Sequence, residues 1–183
     1  MEEISMESKK DIMISGGEDK ENIELLDGIL EIEKRSFPVG WQYDDAREYF
    51  GSMLKTKNSI NVFAFDLGKV VGYALLVPFE VSYGEIKEFD REIIQLDNTA
   101  YLETIGILPE YQGLGLSKKM LVDLNLKAKI AGYNKIAVHA RISNGFNKIV
   151  RKNFSQNIFI SHLIEKWKYG GDEAYEFIVW SVI

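Results

Sequence analysis

The chain has 183 residues, 46% of them apolar and 27% charged, which suits one globular domain and leaves little room for two. Lys plus Arg is 22 and Asp plus Glu is 28, a formal charge of −6, which speaks against broad nonspecific nucleic-acid binding and mildly favours amine-bearing partners. Cysteine is absent, which excludes disulfides, thiolate-held metals and a thiol nucleophile, and two histidines are too few to suggest a His-rich metal site.

No apolar run reaches the ~18 residues of a membrane helix, so no membrane partner is expected. The opening MEEISMESKK lacks the apolar core of a signal peptide, and a soluble cytoplasmic domain is the expectation. Residues 1–11 read as a loose polar tail and 12–183 as a single domain. Ile12-Met13-Ile14 predicts a short strand ended by Gly16-Gly17. From Glu18 the spacing of Ile23, Leu26, Ile29 and Leu30 predicts a helix that stops near Phe37-Pro38. Asp44-Asp45 opens a second helix with Ala46, Tyr49, Phe50, Met53 and Leu54 on its buried stripe. Ile60–Phe65 and Val70–Val77, around Asp66-Leu67-Gly68-Lys69, predict an antiparallel hairpin.

The acidic stretch at about 80–98 reads as an inserted amphipathic helix on Ile86, Phe89, Ile93 and Ile94. It suits a lid over sheet edge or a lure for cationic substrate. Ala100–Leu108 is a predicted strand. The helix after Gly115 carries Leu116, Met120, Leu121, Leu124 and Ala128 on one face, with Gly132 as its stop. Lys135–His139 is the next strand, so strand, helix and strand form a parallel crossover. A short helix over Asn144–Asn153 and two strands, Ile158–Trp167 and Ala174–Ile183 joined across Gly170-Gly171, complete the chain.

The most informative segment is Gln112-Gly113-Leu114-Gly115-Leu116-Ser117, between a strand end and a helix start. Glycines there let backbone approach a ligand, and first-turn N–H groups face an anion with the helix dipole behind them. The lysine of a P-loop and the third glycine of a dinucleotide fingerprint are both missing.

The pattern Gln-x-x-Gly-x-Gly/Ala resembles the acyl-CoA signature of the GNAT N-acetyltransferase superfamily, with Ser117 in the last small-residue place. Tyr101–Tyr111 looks like that family's fourth strand and its run-in. His139-Ala140-Arg141-Ile142-Ser143-Asn144 looks like the end of its fifth strand, and Phe37-Pro38-Val39 like its first substrate loop. These pieces are most similar to those of protein N-terminal acetyltransferases. The resemblance spans residues 12–183 apart from the acidic insertion. It implies an α/β fold with a mixed, mostly antiparallel sheet of six or seven strands, a central parallel pair, about four flanking helices and the inserted one. CoA is expected where the parallel strands diverge.

The resemblance also implies acetyl transfer from acetyl-CoA to an amine, with no metal. Losing the amine proton requires a base. The resemblance assigns it to His139 and Tyr101, directly or through a water, with Glu103 second, two residues from Tyr101 on one strand face. Ile105, Ile107, Gln112, Gly113, Leu114, Gly115, Leu116, Ser117 and Asn144 are the implied cofactor contacts. The Ile107 N–H, on a bulge suggested by Gly106, is the implied oxyanion donor. Asn144 also reads as a helix cap, and Lys118 and Lys119 as phosphate contacts or solvated lysines. Phe37, Pro38 and Val39 are the implied acceptor wall. One departure stands out: Ile149–Phe154 lacks the family's tyrosine acid for the thiolate, with Tyr169 and Tyr175 as substitutes from the last hairpin. The expected acceptor is a peptide or protein N-terminus. The alternatives are a small amine such as a polyamine or aminoglycoside, and a CoA-binding module with weakened catalysis. The sequence does not fix the oligomeric state, a homodimer included.

Overall fold

A computed structural model describes residues 11–18, 20–167 and 173–183. Its seven strands are β1 (Ile12–Ser15), β2 (Ile60–Asp66), β3 (Lys69–Pro78), β4 (Thr99–Ile107), β5 (Lys135–Arg141), β6 (Ile158–Ile164) and β7 (Tyr175–Ser181). They form one sheet in the order β1-β2-β3-β4-β5-β7-β6. Every neighbouring pair is antiparallel except β4 and β5. Among the described residues the α-helices are α1 (Asn22–Ser36), α2 (Ala46–Lys55), α3 (Phe79–Ile86), α4 (Leu116–Ile130) and α5 (Phe146–Phe154). The mixed α/β architecture is the expected one. The tail over residues 1–10, the Gly170-Gly171 link and Tyr169 lie outside the described residues.

Period-two alternation divides the sheet into two faces. On β5, Ile136, Val138 and Ala140 join one core cluster with Met120, Leu121 and Leu124 of α4. Ala137 joins a second cluster with Tyr101 of β4 and Phe177 and Val179 of β7. His139 stands two residues after Ala137, so the pleat brings it to the face of Tyr101.

The structure departs from three sequence expectations. The first helix starts at Asn22, and its buried stripe is Leu25, Ile29, Ile32 and Glu33, while Ile23 is exposed. The inserted helix ends at Ile86. Backbone turns follow, with Phe89 and Asp90 N–H both donating to the Ile86 carbonyl. Asp90 is drawn into the interior by two histidines, which breaks the helical period, and Ile94 is left 59% exposed. The bulge in β4 falls at Glu103, between the pairs Leu75↔Thr104 and Leu76↔Leu102, rather than at Ile107. Gly106 serves packing instead: a Cβ there would stand 2.7 Å from the Tyr73 ring.

Candidate active site

The parallel pairing of β4 and β5 is short. It runs through Thr99↔Lys135, Ala100↔Ile136 and Tyr101↔Ala137, then the strands part. A groove of about 710 Å³ opens along the separated edges. Its walls include Ile105, Ile107, Gln112, Gly113, Gly115, Leu116, Ser117 and Asn144 from the sequence-predicted set; Leu114 is half-exposed and does not line it. The loop before α4 is pinned by Gln112 Nε2, which donates to the Ile107 carbonyl at 3.1 Å, and Ser36 Oγ donates to the same oxygen at 2.9 Å.

Gly113 and Gly115 have φ of 76° and 75°, in the left-handed region that glycine enters without strain. A Cβ on either would meet nothing within 4 Å, so open space lies beside this backbone. The first-turn N–H groups of α4 have no preceding turn to pair with. Lys118 and Lys152 add positive charge to the groove. Backbone donors, open space and cations together fit a diphosphate. Asn144 lines the groove and accepts the Phe146 N–H at 3.0 Å in a local turn, but it is not the helix cap: Gly145 takes that position and Asn144 stands one residue before it.

A second cavity of about 150 Å³ meets the groove. Phe37, Trp41, Glu103, Thr104, His139 and Tyr175 line both, so they form a common wall. Pro38 and Val39 are exposed and line neither cavity; Trp41, for which no role was expected, lines both in their place. Arg141 stacks on the Trp41 ring at 3.9 Å, and the Arg141 guanidinium is paired with Glu173.

Glu103 accepts hydrogen bonds from Tyr49 and Ser82, both 2.5 Å. Burial pushes its carboxyl above the ordinary glutamate range, against the lowering pull of those hydroxyls. On the far side of the common wall, Tyr101 Oη lies 2.8 Å from His139 Nδ1. Burial lowers the His139 pKa, so the ring is neutral at pH 7. Burial also pushes the Tyr101 hydroxyl well above its usual range. Tyr101 and Glu103, expected on one strand face, line the same cavity, and His139 lines it with them. Ser82 and Glu33 were missed, because a hydroxyl and a carboxylate on helices carry no local mark of an inward position; Tyr49 was expected on a buried stripe, but its hydrogen bond to Glu103, 54 positions away, was not.

Glu33 lines the cavity, is buried, and has Oε1 without a hydrogen-bond partner. Burial raises its pKa from 4.5 to about 7, partly offset by Tyr73, whose hydroxyl is 3.4 Å from Oε2. Between these values the folded state holds a proton that the unfolded state has released, so stability falls as pH rises through that window. A Glu33→Gln variant is therefore expected to gain up to roughly 3 kcal/mol over wild type at pH 8 and nothing at pH 4. Thermal unfolding at both pH values checks this; an equal gain at both would contradict it.

Comparisons with known proteins agree with the geometry. The family profile described as acetyltransferase (GNAT) family matches residues 26–147. No curated protein sequence matches the chain. The fold is similar to that of the ribosomal-protein-S18-alanine N-acetyltransferase from Escherichia coli, with a TM-score of 0.66 and 19% identity over 93% of this chain and 94% of that one. It is similar to an N-acetyltransferase from Staphylococcus aureus Mu50, with a TM-score of 0.66 and 18% identity over 94% and 99% of the two chains. It is also similar to an aminoglycoside 6'-N-acetyltransferase complexed with coenzyme A, with a TM-score of 0.66 and 12% identity over 93% and 97%. Family match, parallel-pair groove and glycine loop converge: the chain belongs to the acetyltransferase (GNAT) family and is an acetyl-CoA-dependent acetyltransferase.

Proposed function

We propose that the enzyme acetylates the α-amine of a peptide or protein N-terminus. The observation that carries this reading is the small cavity that shares a wall with the donor groove. At about 150 Å³ it is well below the ~300–1,000 Å³ that drug-sized ligands occupy, so it suits an amine with one short side chain rather than a multi-ring sugar. Phe37, Trp41, Phe89 and Trp167 give that side chain apolar walls. The name of the Escherichia coli neighbour, an alanine N-acetyltransferase of a ribosomal protein, supports the same acceptor class.

In this reading the groove aims the thioester carbonyl at the common wall and the amine approaches from the cavity. The new N–C bond forms as the C–S bond breaks. The amine proton passes to Tyr101 Oη while the Tyr101 proton moves to His139 Nδ1, their separation being 2.8 Å. Glu103, with its raised pKa, is the second acceptor for that proton. An α-amine, with a reference pKa near ~8, needs only such a modest base. Tyr175, on the common wall, is the candidate proton donor to the departing thiolate.

A second reading, a small cationic amine, is favoured by the three carboxylates Glu33, Glu85 and Glu103 that line the cavity. Thiol release from acetyl-CoA, measured across peptides with free N-termini, polyamines and aminoglycosides, separates the two. The proposal expects kcat/KM at least ~tenfold higher on a small-residue peptide N-terminus than on any other amine, an advantage of about 1.4 kcal/mol. Turnover of polyamines or aminoglycosides with no peptide activity would overturn it.

A further inference from the structure

The segment after α3 delivers a carboxylate to the back of His139. His139 Nε2 lies 3.1 Å from Asp90 Oδ2, and His162 Nε2, from β6, lies 2.7 Å from the same oxygen. Asp90 Oδ1 is held in turn by the Glu92 N–H at 3.0 Å. Both carboxylate oxygens are therefore fixed. The Asp90 and His139 side chains are each 2% exposed.

We infer that Asp90 is a positioning residue for acetyl transfer: it holds His139 as the Nε2–H tautomer, which leaves Nδ1 as the lone pair that receives the Tyr101 hydroxyl proton. The inference rests on the proposed Tyr101–His139 proton path. Burial alone would raise the Asp90 pKa, yet hydrogen bonds from His139 and His162 more than offset it and hold the carboxyl below the ordinary range. An ionised carboxylate accepts only, so the proton of the bond must sit on His139 Nε2. A neutral ring with Nε2–H has an unprotonated Nδ1, and the 2.8 Å contact there must be donated by Tyr101. When His139 gains that proton, Asp90 faces the new imidazolium. This is the orienting and charge-stabilising part that the aspartate of a Ser-His-Asp triad plays. His162 contributes by fixing Oδ2. The groups packed around His139 are Tyr101 from β4, Asp90, His162, Trp167 with its ring stacked at 4.3 Å, and Phe177 from β7 at 4.8 Å. Of these, Asp90 raises the His139 pKa and His162 lowers it.

Two measurements decide the matter. The first needs no variant: ¹⁵N-resolved NMR of the histidine rings at pH 7.5 is expected to report His139 as neutral with the proton on Nε2. A proton on Nδ1, or a charged ring, would overturn the inference. The second is Asp90→Asn, expected to lower kcat at least ~tenfold with KM for acetyl-CoA within about twofold. Its acid limb of the kcat–pH profile should move to lower pH, because the imidazolium has lost its counter-charge. A purely structural role would not move that limb. Wild-type kcat and pH profile in Asp90→Asn, together with loss of turnover in His139→Ala, would reject the role of Asp90 and leave the proton path standing. Undiminished turnover in His139→Ala would instead remove the path on which the inference rests. Should Asp90→Asn fail to fold, the tautomer in the wild-type protein still gives the answer.

Discussion

Replacing His139 by alanine is expected to lower kcat at least ~tenfold while leaving acetyl-CoA affinity unchanged. The ring is part of the common wall, packed against Tyr101 and Trp167, and makes none of the loop contacts that pin the residues before α4. Tyr101→Phe is the cleaner version. It removes the hydroxyl 2.8 Å from Nδ1 and keeps the ring that packs edge-on to Phe79. Its kcat is expected to fall by ~100-fold, the usual span for loss of a positioned proton-transfer group. Steady-state kinetics with a peptide acceptor, beside CoA titration calorimetry, reads both quantities. Equal loss of turnover and CoA affinity would mean that these residues hold the fold rather than the proton.

The second large effect concerns the α4 N-terminus. Ser117→Glu places a carboxylate on the first turn, where the helix dipole favours negative charge, so the free protein should be as stable as wild type or up to about 1 kcal/mol more. The same carboxylate occupies the place argued for the donor's diphosphate, and the Kd for CoA is expected to rise ~100-fold. Like charges close together in a partly excluded groove cost the corresponding ~2.7 kcal/mol. Stability and binding thus move in opposite directions, which a general folding defect cannot imitate. Retained CoA affinity with a properly folded Ser117→Glu would show that the diphosphate lies elsewhere.

What the sequence disclosed follows a physical rule. The donor groove was legible because its signal is local: Gly113 and Gly115 adopt left-handed φ beside a helix start, and Gln112 reaches back only to Ile107. Tyr101 and His139 were legible through the family resemblance of the strands that carry them, and the pleat places each on a definite face of its strand. The parallel register Tyr101↔Ala137 then brings them together. The insertion was misread beyond Ile86. Ile86, Phe89 and Ile93 suggest a helical period, but the burial of Asp90 against His139 and His162 depends on partners 49 and 72 positions away. Glu33 was hidden for a similar reason. It follows Ile32 on α1 and looks like the polar side of an amphipathic helix, yet it is 3% exposed in the acceptor cavity. The bulge at Glu103 could not be placed either, since it is a mismatch between β3 and β4 and leaves no mark on β4 alone.

The most direct measurement is a crystal structure of the protein with acetyl-CoA bound. The account predicts the diphosphate within hydrogen-bonding distance of backbone N–H groups between Gly113 and Ser117, and the thioester carbon at the wall formed by Glu103, Thr104 and His139. A diphosphate bound away from those amides, or a thioester that does not reach that wall, would contradict it.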